Sequence, residues 1–315
     1  MNANTLPLGA DEHLFFEMVT ALVRSVQAGE PLRDAGYVLD GAAWVESTRE
    51  EALFWVDREH EPAFGVRGSL PAAIKQLLEL YVPLCLGGGA RRLTIAHLGQ
   101  SLDGRIATET GASRYVTGQE NLIHVHRLRA LCDAVLVGAR TVAADDPQLT
   151  TRLVSGRSPV RVVIDSQRRL SAESRIFHDG AAPTCVICAR GASRRAPLPA
   201  RVEVIELDSD AGAISPENVL GALHERGLRW VFLEGGGLTV SRFLLAGVLD
   251  RLHLTVAPIV LGAGVSALSL PGLRDVTQAL RPRTRRFFLG DDVLFDCALE
   301  RGRTFGGARA ASDGA

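Results

Sequence analysis

Charge in excess of either sign is the first thing this 315-residue sequence lacks: 35 lysines and arginines stand against 36 aspartates and glutamates, a formal net charge of −1. A near-neutral chain does not draw a polyanion over its whole surface, so nucleic acid is not expected as a partner. Cysteine is scarce, five in all, and an odd number in a chain this long is no disulfide framework. The one Cys-x-x-Cys, Cys185 and Cys188, lies inside a strand-like run, where residues three apart face opposite sides. No shared metal or disulfide is expected there, and both are read as small buried hydrophobes. The amino terminus has no basic stretch leading into an apolar one and places Asp11 and Glu12 early, so no signal peptide is expected. Leu254 to Leu273 is uncharged and about the length of a membrane span, but Pro258, Gly262, Gly264 and Pro271 interrupt it. It reads as a strand then a loop, in a soluble cytoplasmic protein. No H-E-x-x-H, P-loop lysine or G-x-S-x-G motif occurs, and His124 and His126, two apart on a helix, do not share a face. No metal site follows.

Hydrophobic residues make up 46% and charged residues 23%, which supports a buried core, and the length suggests a main domain with an accessory one. Residues 1–90 read as the accessory segment, mainly helical. One helix is expected from Asp11 to Gly29, with Asp11 as a cap and Leu14, Met18 and Leu22 on a broad apolar face. A mixed stretch with Trp44, Trp55 and Pro62 precedes a second helix, Leu70 to Tyr81. Gly87-Gly88-Gly89 with Arg91 and Arg92 looks like the joint to the main domain, residues 91–300, and 301–315 reads as a frayed tail.

From Arg92 strands and helices alternate. Thr117-Gly118-Gln119-Glu120 has the form of a capping box opening a helix to about Leu131. Ser215-Pro216 starts another that Gly227 ends, and Leu238 to Ala246 reads as the next, stopped by Gly247. Apolar runs at Ala134–Val137, Val160–Ile164 and Trp230–Leu233 read as strands. The closing strands, Arg251 to Ala257, Arg285 to Leu289 and Val293 to Ala298, suit a hairpin through Gly290-Asp291. This is an α/β fold with a mixed, mostly parallel sheet flanked by helices.

Four clusters end short apolar runs, where an open α/β sheet collects its ligand groups: Ser101-Leu102-Asp103-Gly104-Arg105, Thr141 to Pro147, Val162 to Ser166, and Glu234-Gly235-Gly236-Gly237. Strand, glycines, then helix offers backbone amides to an anion, or simply makes a tight turn. Glu234 at the strand end favours a site, since a carboxylate there accepts hydrogen bonds from an amine or hydroxyl. Arg152 could hold a phosphate as a bidentate fork. Ser166 with Arg168 and Arg169 could hold the 2′-phosphate that distinguishes NADPH from NADH, though arginines after a strand more often form a solvated turn. Asp146 reads as capping the turn before Pro147. Gly262 to Ala267 matches G-x-G-x-x-A, but Pro271 forbids the long helix that a dinucleotide fingerprint requires.

In this order the four clusters resemble the NADPH-dependent pyrimidine reductase family of bacterial riboflavin biosynthesis, related in fold to dihydrofolate reductase, over roughly Leu93 to Ala298. The resemblance implies reduction of the ribosyl group of 5-amino-6-(5-phosphoribosylamino)uracil to the ribitylamino product, with NADPH as cofactor and a homodimer as assembly. It places cofactor contacts at Gly99, Tyr115, Thr141, Asp145, Ser166 and Gly235, Gly236, Gly237, Leu238 and Thr239, within a segment reaching Arg242. Substrate contacts fall on Ser113, Leu149, Arg152 and Glu234, and catalytic roles on Asp103 and Glu234, Asp103 by positioning substrate or orienting a loop. Where the family usually has lysine, four residues before Ser101, this chain has His97, which would hold a substrate phosphate less reliably near pH 7. The zinc-deaminase pattern of many bacterial relatives is missing from the first 90 residues. A reductase acting on another pyrimidine-like or pteridine-like compound, and a nucleotide-binding protein without turnover, are the alternatives.

Overall fold

A computed structural model describes residues 12–59, 63–86, 92–192, 197–302 and Phe305. The expected cap Asp11, Pro62, the joint at Gly87, Gly88, Gly89 and Arg91, and nearly all of the tail lie outside the described residues. The chain divides into two compact units, one from the first 91 residues together with Val154–Gly156, the other from Arg92 onward.

The first unit pairs helices with a sheet. Helix α1 (Glu12–Gln27) buries Phe15, Phe16, Val19, Leu22, Val23 and Val26 along one side, while Leu14 is exposed. Four short strands, β1 (Gly36–Asp40), β2 (Ala43–Ser47), β3 (Phe54–Val56) and β4 (Phe64–Val66), form an antiparallel sheet in the order β2-β1-β3-β4. Helix α2 (Ala72–Tyr81) follows. The expectation of a mainly helical segment holds for α1 and α2 but left out this sheet. β3 and β4 are three residues each, too short to print an alternating pattern, and aromatic contacts replace it as the packing signal. Tyr37 stacks on Phe54 at 5.0 Å, and Trp44 sets its ring edge-on to Phe15 while its Nε1–H donates to the Met18 carbonyl.

In the second unit the elements run β5 (Leu93–Ser101), β6 (Arg105–Thr108), α3 (Gln119–Leu131), β7 (Ala134–Gly138), α4 (Ala139–Asp145), β8 (Val160–Ile164), α5 (Arg175–His178), β9 (Thr184–Ala189) and β10 (Val202–Leu207). Then come α6 (Pro216–Glu225), β11 (Trp230–Glu234), α7 (Gly237–Leu245), β12 (Arg251–Ala257), β13 (Gly264–Ser266), β14 (Arg283–Leu289) and β15 (Asp292–Ala298). Nine strands form one sheet in the order β10-β9-β8-β7-β11-β5-β12-β15-β14. From β10 to β12 neighbours are parallel, and β15 and β14 are added antiparallel. The parallel strands are apolar almost throughout because helices cover both faces: Leu136, Val162, Ile187, Leu233, Val240 and Phe243 share one core.

The chain leaves β5 for β7, proceeds outward to β10, and returns to insert β11 between β7 and β5. The strand order thus reverses about β5 and β11, where an α/β sheet opens a crevice at its carboxyl ends. Local signals behave as read at α6, where Ser215 Oγ accepts from the Asn218 amide, and at the hairpin, where Gly290 sits at φ +64 and Leu289 pairs with Asp292. The capping box does not form. Gly118, not Thr117, caps α3; Thr117 Oγ1 accepts from Asn121 Nδ2 (2.8 Å), and the Gly118 amide donates to Asp292 Oδ2 (2.7 Å). Leu254 to Leu273 is β12 and a loop carrying β13, which pairs with β6, so Gly262–Ala267 starts no helix. Among the described residues no helix is long and apolar enough to cross a membrane.

Candidate functional site

Glu234 closes β11, and the two residues after it, Gly235 (φ +67) and Gly236 (φ +72), adopt left-handed conformations that lead into α7. A side chain on Gly237 would run into the Ala267 carbonyl oxygen, and one on Gly236 would approach Thr141 Oγ1 at 2.9 Å. Thr239 Oγ1 stands equally close over Gly138, at 2.6 Å from a Cβ placed there. The hydroxyls of Thr141 and Thr239 thus flank a bare backbone turn, and the opening amides of α7, at Gly237 and Leu238, have no acceptor within the helix. Thr141 is carried by the short helix α4; Asp146 is the left-handed C-cap of that helix (φ +40), its Oδ1 accepting from the Arg175 amide.

The carboxylate of Glu234 is held by a residue the sequence reading missed. Arg129, on α3, donates from Nε to Oε2 (2.7 Å) and from Nη2 to Oε1, and its Nη1 donates to the Thr150 carbonyl (2.8 Å). The side chains are 7% and 18% exposed, so the pair is desolvated enough to be stiff yet keeps an open edge. His126, on the same helix, accepts from the Arg152 amide through Nδ1 (2.9 Å). Burial, then the nearby Arg129 and Arg152, holds His126 down to about 4, so it is neutral near pH 7. Among the described residues the Arg152 guanidinium hydrogen bonds to neutral oxygens, Gln148 Oε1 (2.9 Å) and Thr150 Oγ1 (3.2 Å). Burial, then Arg129 and Arg175, lowers its pKa against the opposing charge of Glu234; a crowded cation with no carboxylate salt-bridged to it among the described residues is suited to an anion.

Leu149 bends this loop at φ +54 with its side chain buried, a conformation uncommon for a branched residue. Tyr115 is also left-handed (φ +66), and the residue is 93% exposed. Ser113 Oγ donates to Asp145 Oδ1 at 3.1 Å, so one expected substrate residue and one expected cofactor residue are brought into contact. Gly99 is small because Thr117 covers it: a Cβ there would lie 2.7 Å from Thr117 Cγ2.

Asp103 is engaged elsewhere. Its Oδ1 accepts from Ser101 Oγ (2.6 Å) and the Leu261 amide (3.0 Å), and Oδ2 from the Gly262 amide (2.7 Å). Arg105 adds bonds to the Gly262 carbonyl and Ser266 Oγ, and the Ala267 amide donates to the Gly104 carbonyl. The Ser101–Arg105 turn thus clamps the loop whose Ser266–Ala267 backbone abuts Gly237. The Ser101 hydroxyl, then the Leu261 and Gly262 amides, pulls Asp103 down to about 2. A carboxylate that is ionised near pH 7 and engaged through both oxygens acts as a loop anchor, one of the two roles expected of Asp103.

His97 does not present a cation either. It is buried on β5, bonded through Nε2 to Asn121 Oδ1 (2.9 Å) and Thr255 Oγ1 (3.2 Å), and burial, then the neighbouring His253, pushes it down to about 4.

Ser166 lies further out, beyond β8 and β9, in a cleft of about 420 Å³ lined by Ser166, Gln167, Arg169 and Ala189 to Ala192. Arg169 lines it, but Arg168 turns inward and is buried (φ +52). Asp165 shapes the bend by accepting from the amides of Arg169 and Leu170. Arg190 supplies the second cation, reaching Asp208 at 2.8 Å. Cys185 and Cys188 are buried and free, and no group of residues among those described could hold a metal ion.

Residues 92–287 match the family model described as the RibD C-terminal domain. The chain is 36% identical over 219 residues to a 2,5-diamino-6-ribosylamino-4(3H)-pyrimidinone 5′-phosphate reductase of Methanothermobacter thermautotrophicus, covering 67% of this chain and 99% of that protein. To the riboflavin biosynthesis protein RibD of Aquifex aeolicus it is 34% identical over 62% of its own length, but spans only 54% of that protein. Among solved structures, a diaminohydroxyphosphoribosylaminopyrimidine deaminase/5-amino-6-(5-phosphoribosylamino)uracil reductase of Thermotoga maritima superposes with a TM-score of 0.58 at 31% identity, covering 74% of this chain and 63% of that one.

Proposed function

The chain belongs to the RibD C-terminal-domain family, and from that premise we propose that it is an NADPH-dependent reductase of a phosphoribosylamino-pyrimidine in riboflavin biosynthesis. The observation that carries this reading is the Arg129-held Glu234 at the mouth of the bare glycine turn, with Arg152, hydrogen-bonded to neutral oxygens, beside it. A fixed carboxylate and a cation short of a partner are the two polarities that an aminopyrimidine bearing a phosphate requires.

The residues present fit the cofactor. Gly235 to Gly237 leave a cradle that side chains would fill, Thr141 and Thr239 offer hydroxyls to it, and the cleft of Ser166, Arg169 and Arg190 suits a 2′-phosphate. Bound there, NADPH would supply a hydride to the ribosyl carbon of the substrate. Glu234 accepts from amino or hydroxyl groups of the substrate and keeps it in register, and Arg152 holds the phosphate. Ser113 and Asp145 join the two contact regions, and Asp103 keeps the 258–267 loop seated on the turn. The contribution of these residues is chiefly alignment. We treat residues 1–90 as an accessory unit outside this chemistry, and the homodimer as the assembly to be checked by light scattering.

The test is absorbance-followed oxidation of NADPH, with NADH as control, offered the diaminopyrimidinone and the uracil forms of the phosphoribosylamino substrate. Turnover of either with NADPH preferred supports the reading; NADPH bound but never consumed leaves a nucleotide-binding protein. Glu234→Gln and Arg152→Ala are each expected to lower kcat/KM by about tenfold or more while NADPH affinity is retained. Normal turnover by both variants would remove the substrate-site assignment.

A further inference from the structure

Arg161 is a charged side chain in a strand whose other members, Val160, Val162, Val163 and Ile164, are apolar, and it is only 1% exposed. A guanidinium buried that deeply is costly unless its donors are met, and Arg161 meets acceptors on three separate segments. Nε donates to Thr184 Oγ1 on β9 (2.9 Å), Nη2 to the Ala182 carbonyl (2.9 Å), and Nη1 both to Asp179 Oδ2 (2.9 Å) and to the Gln148 carbonyl (3.3 Å). Asp179 is the C-cap of α5, and the first amide of that helix, Arg175, donates to Asp146 Oδ1. The loop from Asp146 to Arg152 is thus tied to one end of α5 through Asp146 and, through Arg161, to the other.

The Gln148 carbonyl has a particular place in that loop. It belongs to the peptide plane turned by φ of Leu149, the buried residue held at +54, so a bond to it holds the left-handed bend directly. Arg129 holds the Thr150 carbonyl on the far side of the bend (2.8 Å), and His126 takes the Arg152 amide. A branched residue stays in this conformation only when its surroundings over-determine it. The same bend sets the aim of Arg152, whose Nη1 rests on Gln148 Oε1 and Thr150 Oγ1, one residue on each side of Leu149. The side chains of Arg161 and Asp179 are 1% and 12% exposed, and an ion pair so buried adds little net stability over apolar residues of the same volume. What it adds here is a fixed direction for one carbonyl.

We propose that Arg161 is a positioning residue for the reductase: paired with Asp179, it holds the bend at Leu149 and through it keeps Arg152 directed at the substrate phosphate. The inference rests on the reductase reading above, with Arg152 as the phosphate ligand. Arg161 has no surface with which to touch substrate or cofactor, so its effect on catalysis passes through the loop. Lysine in its place would keep the charge beside Asp179. With one nitrogen on an unbranched stem, it could not reach Gln148, Ala182 and Thr184 together.

A double-mutant cycle in steady-state kinetics, with the phosphoribosylamino-pyrimidine varied at saturating NADPH, tests this. Arg161→Lys is expected to raise KM for the pyrimidine about tenfold, with kcat and KM for NADPH unchanged. In an Arg152→Ala background the same substitution is expected to cause no further rise, because the group it aims is gone. A tenfold rise in both backgrounds, a fall in kcat in place of the rise in KM, or wild-type kinetics in Arg161→Lys overturns the proposal and leaves the reductase reading intact. An unchanged KM in Arg152→Ala alone does the same. Absence of turnover in the wild type overturns both. Should Arg161→Lys not fold, Arg161→Met with Asp179→Asn, which removes both buried charges, enters the same cycle. Failure of that pair to fold as well makes Arg161 a purely structural residue and overturns the proposal.

Discussion

Arg129 makes three directed hydrogen bonds, two to Glu234 and one to the Thr150 carbonyl, a pattern only a planar guanidinium can serve. Arg129→Lys keeps the charge and loses the fork. It is expected to lower kcat/KM by about tenfold to a hundredfold, the range of one or two charged hydrogen bonds, with far-UV circular dichroism unchanged; steady-state kinetics reads it, and wild-type kinetics in the variant would refute the positioning role. Asp103→Asn is expected to act on the cofactor side. An amide cannot accept two backbone amides on opposite oxygens, so the loop against Gly237 loosens and KM for NADPH rises with little change in kcat. The folded pKa of Asp103, about 2, lies below its ordinary 3.8, so its contribution to stability is present above pH 4 and lost as the pH falls towards 2. Thermal melts from pH 5 to 2 should therefore be shallower in the Asn variant. Glu234, Asp103 and the glycines were legible because each ends an apolar run. Arg129 was not: it sits among charged and polar helix residues, and its partner lies 105 positions away.

Helix α3 shows why a single-sequence reading of an element can be right in extent and wrong in chemistry. Its span was read within two residues, but it buries Asn121, His124, His126, Arg127 and Arg129 around its circumference, so no apolar stripe exists to say which face meets the sheet. The expected capping box was displaced by tertiary bonds: Asn121 claims the Thr117 hydroxyl, and Asp292, from the far hairpin, claims the Gly118 amide. The buried histidines carry a measurable consequence. His97 and His126 titrate near 4 in the fold against an ordinary 6.5, through burial first, and His124 is pushed down as well. Between pH 6.5 and 4 the unfolded chain binds more protons than the folded one, so stability is complete above 6.5 and declines below it, by up to about 1.4 kcal/mol per pH unit for each proton difference. Thermal unfolding followed from pH 7.5 to 5 should show a falling midpoint from about 6.5 downward; a midpoint flat to pH 5 would mean these imidazoles are not held neutral.

At the scale of the whole molecule, the sheet order separates the two proposed ligand regions along one edge. The reversal about β5 and β11 gathers Glu234, Arg152 and the glycine turn, while the outward march through β8 and β9 puts Ser166, Arg169 and Arg190 at the far end. The alternation of strands and helices made the order of elements readable from Arg92 onward, but not the insertion of β11 between β7 and β5, because pairing partners leave no local signal in parallel strands buried on both faces. The four-stranded sheet of the first unit was missed for the related reason that its shortest strands have no period to detect. On the proposed reading, the separation of the two regions predicts that cofactor choice is independent of substrate binding. Arg169 lines the outer cleft without any part in the Glu234 cluster, and Arg190 already has Asp208 as a partner, so on the proposed reading Arg169 is, among the described lining residues, the cation left to meet a 2′-phosphate. Arg169→Ala is expected to raise KM for NADPH by about tenfold, the worth of one charge-assisted bond, and to leave KM for NADH and for the pyrimidine unchanged, reducing the NADPH preference by the same factor. The comparison needs both cofactors at saturating pyrimidine. An equal loss for NADPH and NADH would instead place Arg169 against a part the two cofactors share, and the 2′-phosphate would then lie outside this cleft.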